Sequence, residues 1–199
     1  MALNDNAVLT AAVGYVYFAP VGTAAPAAAD LDGLNLEDPS GWTAAGWVNA
    51  GHTSEGDLPE FGFDGGDTEV RNTWQKKKLR EVQTEDPVDF LTVFLQQFDE
   101  TAMELYYGPN ASSTAGEFAV SAAGVQPVEK AVLVVIVDGD VRVGFHASKA
   151  SVKRDDSIQL DTEDFGSLPI RCTFLSHSTN PLFKWINEDL FPNGGSGEV

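Results

Sequence analysis

The strongest local folding signal in this sequence is a predicted β-hairpin over residues 130–149. Residues 131–137 form an uninterrupted apolar run, and the dipeptide Asp138-Gly139 that follows is typical of tight hairpin turns. Residues 140–149 then alternate between apolar and polar side chains, as a half-buried strand does. A single hairpin is only marginally stable, so further strands must pack with it. The sequence predicts such strands at residues 14–19, 117–121, 151–161 and 168–177, with a possible short strand at 42–49.

One segment departs from this pattern and predicts a helical unit over residues 86–107. Asp86 followed by Pro87 suits the N-cap and the first position of a helix. Apolar residues then recur at helical spacing, at Val88, Leu91, Phe94, Leu95 and Phe98. Gly108-Pro109 is a typical helix end. We therefore expect a mainly β fold with one flanking α-helix at about residues 86–107.

The other segments are predicted to be loops and arms of one domain that spans residues 1–199. Residues 1–12 form an N-terminal arm, and residues 192–199 (PNGGSGEV) form a flexible C-terminal tail. Residues 20–41 are rich in Ala, Pro and Asp without periodicity, which indicates a long loop whose role the sequence leaves open. Residues 50–68 hold five glycines and five acids and are interpreted as a long acidic loop or an extended hairpin. Residues 69–84 are expected to form one or two strands.

The charge is unevenly distributed along the chain. The formal net charge is −18, and residues 1–70 contain eleven acids but no Lys or Arg. Five bases then fall within residues 71–80. So acidic a chain is a poor candidate for tight nucleic-acid binding, which depends on Lys and Arg neutralising phosphates, or for binding an anionic membrane. An acidic wall can nevertheless suit a passage through which a polyanion slides without adhering.

No arrangement of residues predicts a catalytic or metal site, so we expect neither an enzyme nor a cofactor. The three histidines (His52, His146 and His177) are far apart and lack metal-ligand spacing. The single cysteine, Cys172, lies in an apolar strand and is expected to be a small buried side chain. The acidic run from Asp30 to Asp38 only partly resembles a calcium loop, because its glycine comes too early. We therefore interpret it as a solvated loop, although a weak calcium site stays conceivable.

The charge pattern instead suggests contacts between copies of the chain. An acidic loop followed by a basic run can pair with the opposite charges of a neighbouring copy, and basic residues also blunt an exposed strand edge. The candidate contact residues are Glu55, Asp57, Glu60, Asp64 and Asp67 on the acidic side, and Lys76, Lys77, Lys78 and Arg80 on the basic side.

Several motifs in residues 42–108 occur together in one protein family. Residues 42–58 read WTAAGWVNAGHTSEGDL, Trp74-Gln75 precedes the basic run, Thr84-Glu-Asp86 enters a Phe/Leu-rich segment, and LYYG closes it at residues 105–108. In these features the chain resembles siphophage major tail proteins, the subunits of long non-contractile tail tubes.

This resemblance implies a β-sandwich or half-barrel with one helix on its flank. It also implies six-membered rings that stack helically into a tube, with inner sheets forming a continuous β-barrel round a lumen. A long loop and the chain termini would reach across ring interfaces. A tape measure protein would fill the lumen before DNA passes through it at ejection, and tail terminator and distal tail or baseplate proteins would bind the tube ends. The implied location is the tail of the virion, after assembly in the host cytoplasm.

Two other functions fit parts of the sequence. A tail terminator, head–tail connector or similar ring protein would form one ring that does not polymerise. A carbohydrate-binding β-sandwich would use an aromatic platform drawn from Trp42, Trp47, Trp74 and Trp185. For the tube subunit, we expect that shortening residues 52–68 leaves the fold intact but blocks tube growth.

Overall fold

The computed structural model describes residues 3–4 and 7–192. It contains ten strands and one α-helix within those residues. The strands are β1 (Val13–Ala19), β2 (Val48–Asn49), β3 (Glu60–Asp64), β4 (Thr68–Arg71), β5 (Arg80–Gln83), β6 (Val88–Leu95), β7 (Val128–Asp138), β8 (Val141–Arg154), β9 (Leu168–Phe174) and β10 (Lys184–Ile186). The helix is α1 (Glu100–Tyr107), and short 3-10 helices span Ala28–Gly33 and Pro39–Gly41.

Eight of the strands form one antiparallel sheet around the predicted hairpin. Its order is β2-β1-β7-β8-β9-β6-β3, and β10 pairs with β8 beside β9. β7 and β8 pair from Asp138↔Val141 onward, so the two turn residues are Gly139 and Asp140, one position later than the sequence suggested. Gly139 has φ +58°, which glycine adopts at little steric cost.

The two ends of this sheet meet, so that the strands close into a small barrel. Residues 48–49 pair with β1, and the amide of Ala50 donates to the carbonyl of Val16 at 2.8 Å. The same segment then reaches β6, where Thr53 pairs with Leu95 and the Ser54 amide donates to the Phe94 carbonyl at 2.9 Å. β3 continues along the same edge of β6. The predicted mainly β fold with a flanking helix is therefore confirmed.

The barrel interior is the larger hydrophobic core. Alternate residues of β1, β6, β7, β8 and β9 point inward, among them Val16, Leu91, Val134, Phe145 and Ile170. Fully burying side chains of this size contributes about 1.5–3 kcal/mol each relative to exposure. The buried face of α1, with Ala102, Leu105 and Tyr106, packs against the same cluster. This core fixes the position of the strands from which the loops and hairpins project.

A second core lies on the outer face of β1 and β7, and it explains residues 20–47. Tyr17, Leu133 and Val135 point outward there and are covered by Leu31, Leu36, Trp42 and Trp47. The Tyr17 hydroxyl donates to the Leu36 carbonyl at 2.5 Å, and its ring packs edge-on to Trp42 at 4.7 Å. Arg142 from β8 donates to the carbonyls of Leu31 and Leu34. The long Ala/Pro/Asp segment is thus a lid over the outer sheet face.

The predicted helical unit over residues 86–107 was wrong in its first half. Residues 88–95 form strand β6, and the helix begins only after Asp99, whose side chain accepts from the Ala102 amide at 2.9 Å. β6 carries apolar side chains on both faces, because Leu91, Val93 and Leu95 enter the core while Phe90 and Phe94 lie on the other face. Such a run lacks a strict two-residue alternation, so its spacing also fits a helix. The predicted end at Gly108 is confirmed.

The predicted loop over residues 50–68 was also wrong in part. Residues 52–54 and 60–64 hydrogen-bond to β6 as part of the barrel wall, residues 55–59 loop away from it, and residues 65–67 lead out to β4. Of the terminal segments, the described part of the N-terminal arm is exposed from residue 7 to residue 12. The predicted C-terminal tail over 192–199 lies, apart from Pro192, outside the described residues.

Candidate self-association interface

The most exposed secondary structure is the hairpin formed by β4 and β5. These two strands pair with each other, from Thr68↔Gln83 to Arg71↔Arg80, and with no other strand in the described part of the chain. Every residue from 67 to 88 is exposed except Val82, which is half-buried. A two-stranded hairpin without further packing is at best marginally stable in water. We call residues 68–83 the projecting hairpin.

The tip of the projecting hairpin, residues 72–79, is held by a local hydrogen-bond network. The Thr73 amide donates to the Lys76 carbonyl at 2.8 Å, and the Lys76 amide donates to the Thr73 hydroxyl at 3.1 Å. The Lys78 amide donates to the Asn72 side chain at 2.5 Å, and Lys78 has φ +53°. This turn presents Trp74, whose side chain is 98% exposed. A large aromatic side chain left fully in water is typical of an anchor for a partner surface.

The tip and the base of the projecting hairpin carry opposite charges. Residues 71–80 contain five bases and no acid, whereas the base of the hairpin carries Asp67, Glu69, Glu81 and Glu85. The predicted basic residues Lys76, Lys77 and Lys78 therefore lie at the tip, and Arg80 lies in β5 next to it. Among the described residues none of these four forms an ion pair within the chain, while Arg71 pairs with Glu69 at 3.5 Å. The positive charge of the tip is available to another molecule.

The five predicted acidic residues do not form one group. Glu55 and Asp57 lie in the short looped-out segment before β3, Glu60 and Asp64 begin and end β3, and Asp67 lies at the base of the projecting hairpin. All five are exposed. Asp64 is already bound within the chain, because its carboxylate accepts from the Arg171 guanidinium. Because these acids are close in sequence, we expected one acidic loop. Strand β3 runs through the segment, so the acids lie before it, within it and after it.

Arg171 organises the outer face of β6 and β9. Its guanidinium stacks over the Phe90 ring at 3.5 Å and lies 4.0 Å from an Asp155 carboxylate oxygen, in addition to its contact with Asp64. Cation–π and ion-pair contacts of this kind add about 0.5–1 kcal/mol each where they are partly exposed. This cluster fixes β3 against the sheet and so fixes the point from which the projecting hairpin leaves.

The four tryptophans do not form a carbohydrate platform, so that alternative was wrong on geometry. Trp42 and Trp47 are buried in the outer core, and their indole N–H groups donate to the carbonyls of Asn35 and Ala24. Trp185 packs on Phe145 with ring centroids 5.1 Å apart. Trp74 stands alone at the hairpin tip. In the described structure no two indole rings pack against each other.

The histidines and the cysteine are placed in unrelated surroundings. His146 is buried, and its Nε2 donates to the Thr23 carbonyl at 3.0 Å, which requires the proton on that nitrogen. Burial lowers the pKa of His146, against the opposing effect of this hydrogen bond. His52 is exposed and His177 is half-buried, and both lie elsewhere. Cys172 is fully buried in the barrel core, as predicted, and burial raises the pKa of its thiol.

Within the described residues, no three His, Cys, Asp or Glu side chains are grouped so that they could hold a metal ion. The same residues contain no helix that is long and apolar enough to cross a membrane. The surface features that remain to be explained are those of a binding surface for a macromolecule.

Comparison with known proteins identifies what kind of macromolecule this is. The family model described as phage tail tube protein matches residues 1–196. The chain is 60% identical to the major tail protein Gp23 of Mycobacterium phage D29 over 200 residues, which cover 98% of this chain and all of the relative. It is also 60% identical to the major tail protein Gp23 of Mycobacterium phage L5 over 192 residues, or 96% of each chain.

Proposed function

Since this chain belongs to the phage tail tube protein family, we propose that its copies form rings that stack head to tail into the tube, with the projecting hairpin as the contact between rings. The chain is a major tail protein, a structural component of the phage tail tube in the virion. We propose in addition how its rings stack, how many copies a ring holds and what its lumen is like.

The observation that carries the stacking role is the isolation of the projecting hairpin. Its paired strands extend four residues on each side, about 13 Å at the rise of an extended strand, and the tip of residues 72–79 lies beyond them. Within the described residues its side chains are exposed apart from half-buried Val82, yet it presents a basic tip and a fully exposed Trp74. Binding to a second copy would bury this side chain and order the hairpin. A contact that joins different surfaces on the two copies gives an open filament.

The number of copies in a ring is supported by the family resemblance of residues 42–108, which implies six. Barrel strands at the ring interface would join neighbouring subunits through the free edge of β3, which pairs on one side only in the described structure. Pairing such an edge across subunits removes exposed backbone donors and acceptors.

The charge supports a lumen through which DNA passes at ejection. A ring of six would carry a formal charge of about −108, so phosphate groups would be repelled by the wall rather than retained. The tape measure protein would occupy the same space before ejection, and terminator and distal tail or baseplate proteins would bind the two ends. We propose no enzymatic role and no cofactor for this structural protein.

Electron microscopy of the purified protein tests this function. Negatively stained samples should show tubes, and averaged end-on views should show six-fold symmetry. A DNA mobility-shift assay with the same tubes should show no retardation at physiological salt. Single rings that never lengthen would instead support a terminator or connector, and a protein that stays monomeric at high concentration would contradict self-assembly.

A further inference from the structure

An exposed apolar cluster lies at the far side of the barrel from the projecting hairpin. Leu160 is 79% exposed, Phe165 83% and Phe98 49%. Leu160 and Phe98 meet at Gly166, where a Cβ atom would lie 2.9 Å from Leu160 Cδ2 and 3.3 Å from Phe98 Cζ. The loop that carries Leu160 and Phe165 is closed by the pairing of Gln159 with Ser167. We call Phe98, Leu160 and Phe165 the acceptor patch.

The loop is anchored to the barrel, so the acceptor patch has a defined position. The Asp155 amide donates to the Pro169 carbonyl at 2.9 Å, and the Tyr106 hydroxyl donates to the Asp156 carbonyl at 2.6 Å. Ile158 packs against the barrel core. Apolar side chains held exposed on an anchored loop are typical of a binding surface.

The acceptor patch is surrounded by negative charge. Residues 156–164 contain four acids and no base, at Asp156, Asp161, Glu163 and Asp164, whereas the preceding Asp155 lies beside Arg171. Asp99 and Glu100 follow Phe98 directly and are also exposed. An apolar centre ringed by carboxylates matches a ligand with an apolar group among cations. The hairpin tip has this chemistry, with Trp74 beside Lys76, Lys77 and Lys78.

The register of the sheet places the two surfaces at opposite ends of the barrel. The projecting hairpin leaves after Asp64, which pairs with Val88 at the start of β6. The acceptor patch adjoins the other end of that strand, because Leu95 pairs with Leu168 and Phe98 follows three residues later. β6 spans eight residues, so the two ends are about 23 Å apart along the strand. In a head-to-tail stack of copies, a hairpin leaving one end of a copy would face the patch at the opposite end of the next copy.

From this arrangement we infer that the tip of the projecting hairpin binds the acceptor patch of a neighbouring copy in the next ring. The inference rests on the proposed function and adds the surface that receives the hairpin. Trp74 packs against Leu160 and Phe165, while the lysines pair with the surrounding carboxylates. The contact is heterologous, so each copy has one donor and one acceptor, and the chain of contacts does not close.

Site-specific cross-linking tests the contact directly. Lys77→Cys and Asp164→Cys, combined in one chain and treated with a short bis-maleimide, should give a ladder of dimers, trimers and longer products on a denaturing gel. Each single variant should give no ladder, and the native Cys172 adds no background because it is fully buried. The matched control combines Lys77→Cys with Asp32→Cys, an exposed acid on the outer lid. A ladder from the control that equals the test pair, or none from the test pair, would overturn the inference.

Charge reversal separates this inference from the proposed function. Changing Lys76, Lys77 and Lys78 to Glu should raise the concentration needed for tube growth about 30-fold or more, because like charges would then meet across the contact. Changing Asp161, Glu163 and Asp164 to Lys should do the same, and the combined variant should recover tubes. Circular dichroism of each variant checks that these exposed substitutions leave the fold intact.

The outcomes of charge reversal are distinct. If the tip variant still grows tubes normally, the stacking role of the hairpin is wrong. If the tip variant fails but the loop variant grows normally, the hairpin binds elsewhere and the acceptor patch serves another partner, which refutes this inference alone. Failure of the combined variant to recover tubes, with both single variants defective, also counts against direct pairing.

Discussion

Removing the projecting hairpin should abolish tube growth without unfolding the subunit. Thr84 N donates to Asp67 O at 2.8 Å, which is the hydrogen bond that closes a two-residue turn. Residues 68–83 can therefore be replaced by Asn-Gly, a dipeptide suited to such turns, with Asp67 and Thr84 kept in place. This excision removes the basic tip and Trp74 together.

The expected change in stability is small and can be worked from the structure. Val82 is the only residue of the excised segment that is even half-buried, so almost no apolar burial is lost. The connection from Asp64 to Val88 shortens from about 23 to about 9 residues, which lowers the loop-closure cost by about 0.8 kcal/mol. The free energy of unfolding should thus stay within about 1 kcal/mol of the wild type.

Two measurements check this reasoning. Urea unfolding followed by tryptophan fluorescence and circular dichroism gives the stability, and negative-stain microscopy gives tube length. Deletion of Ser113–Gly116, an exposed loop on the helix side, is the matched control and should leave both unchanged. Normal-length tubes from the excised variant would refute the stacking role. A loss of several kcal/mol would show that the hairpin is part of the folded core.

Three further predictions concern buried side chains. Trp42→Ala should cost about 3–5 kcal/mol in urea unfolding, because it opens the outer core and releases the lid; a loss below about 1 kcal/mol would contradict that packing. Because burial lowers the pKa of His146, the unfolded chain binds a proton at this residue more readily than the folded chain does. The contribution of neutral His146 to the stability of the fold is therefore full above about pH 6.5 and is lost as pH falls. Stability measured from pH 5 to 8 should therefore fall less steeply on acidification in His146→Gln than in the wild type, and parallel curves would disprove the linkage. Cys172 should react with a thiol reagent only on unfolding, and rapid labelling of the native protein would show that the core opens.

The family and the main hairpin were readable from the sequence because both depend on local patterns. The apolar run before Asp138-Gly139 predicts β7 and β8 without knowledge of their neighbours, and the motifs between Trp42 and Gly108 identify the family. The burial of Cys172 followed from its apolar strand. The charge asymmetry was likewise visible, including the basic run that the structure places at the hairpin tip.

The errors fell where a strand is covered on both faces or where distant segments pair. β6 has apolar side chains on its inner and outer faces, so its spacing did not distinguish a strand from a helix. The glycines and acids of residues 50–68 indicated a loop, yet β3 is held in the barrel by Phe61 against Phe145 and by Asp64 against Arg171. Shortening residues 52–68 should therefore open the barrel wall and not, as the sequence suggested, leave the fold intact. Residues 68–83, in contrast, can be removed.

By itself the sequence determined that this protein is acidic and mainly β, because composition, turn residues and strand periodicity act locally, and its motifs pointed to the tail tube family. Only the tertiary structure decided which segments are exposed to solvent. Exposure depends on what the rest of the chain covers. Trp42 and Trp74 are the same type of residue, but Trp42 is buried beneath the lid and Trp74 is almost wholly in solvent. The same holds for Leu160 and Phe165, whose place opposite the projecting hairpin follows from the register of β6 with β3 and β9.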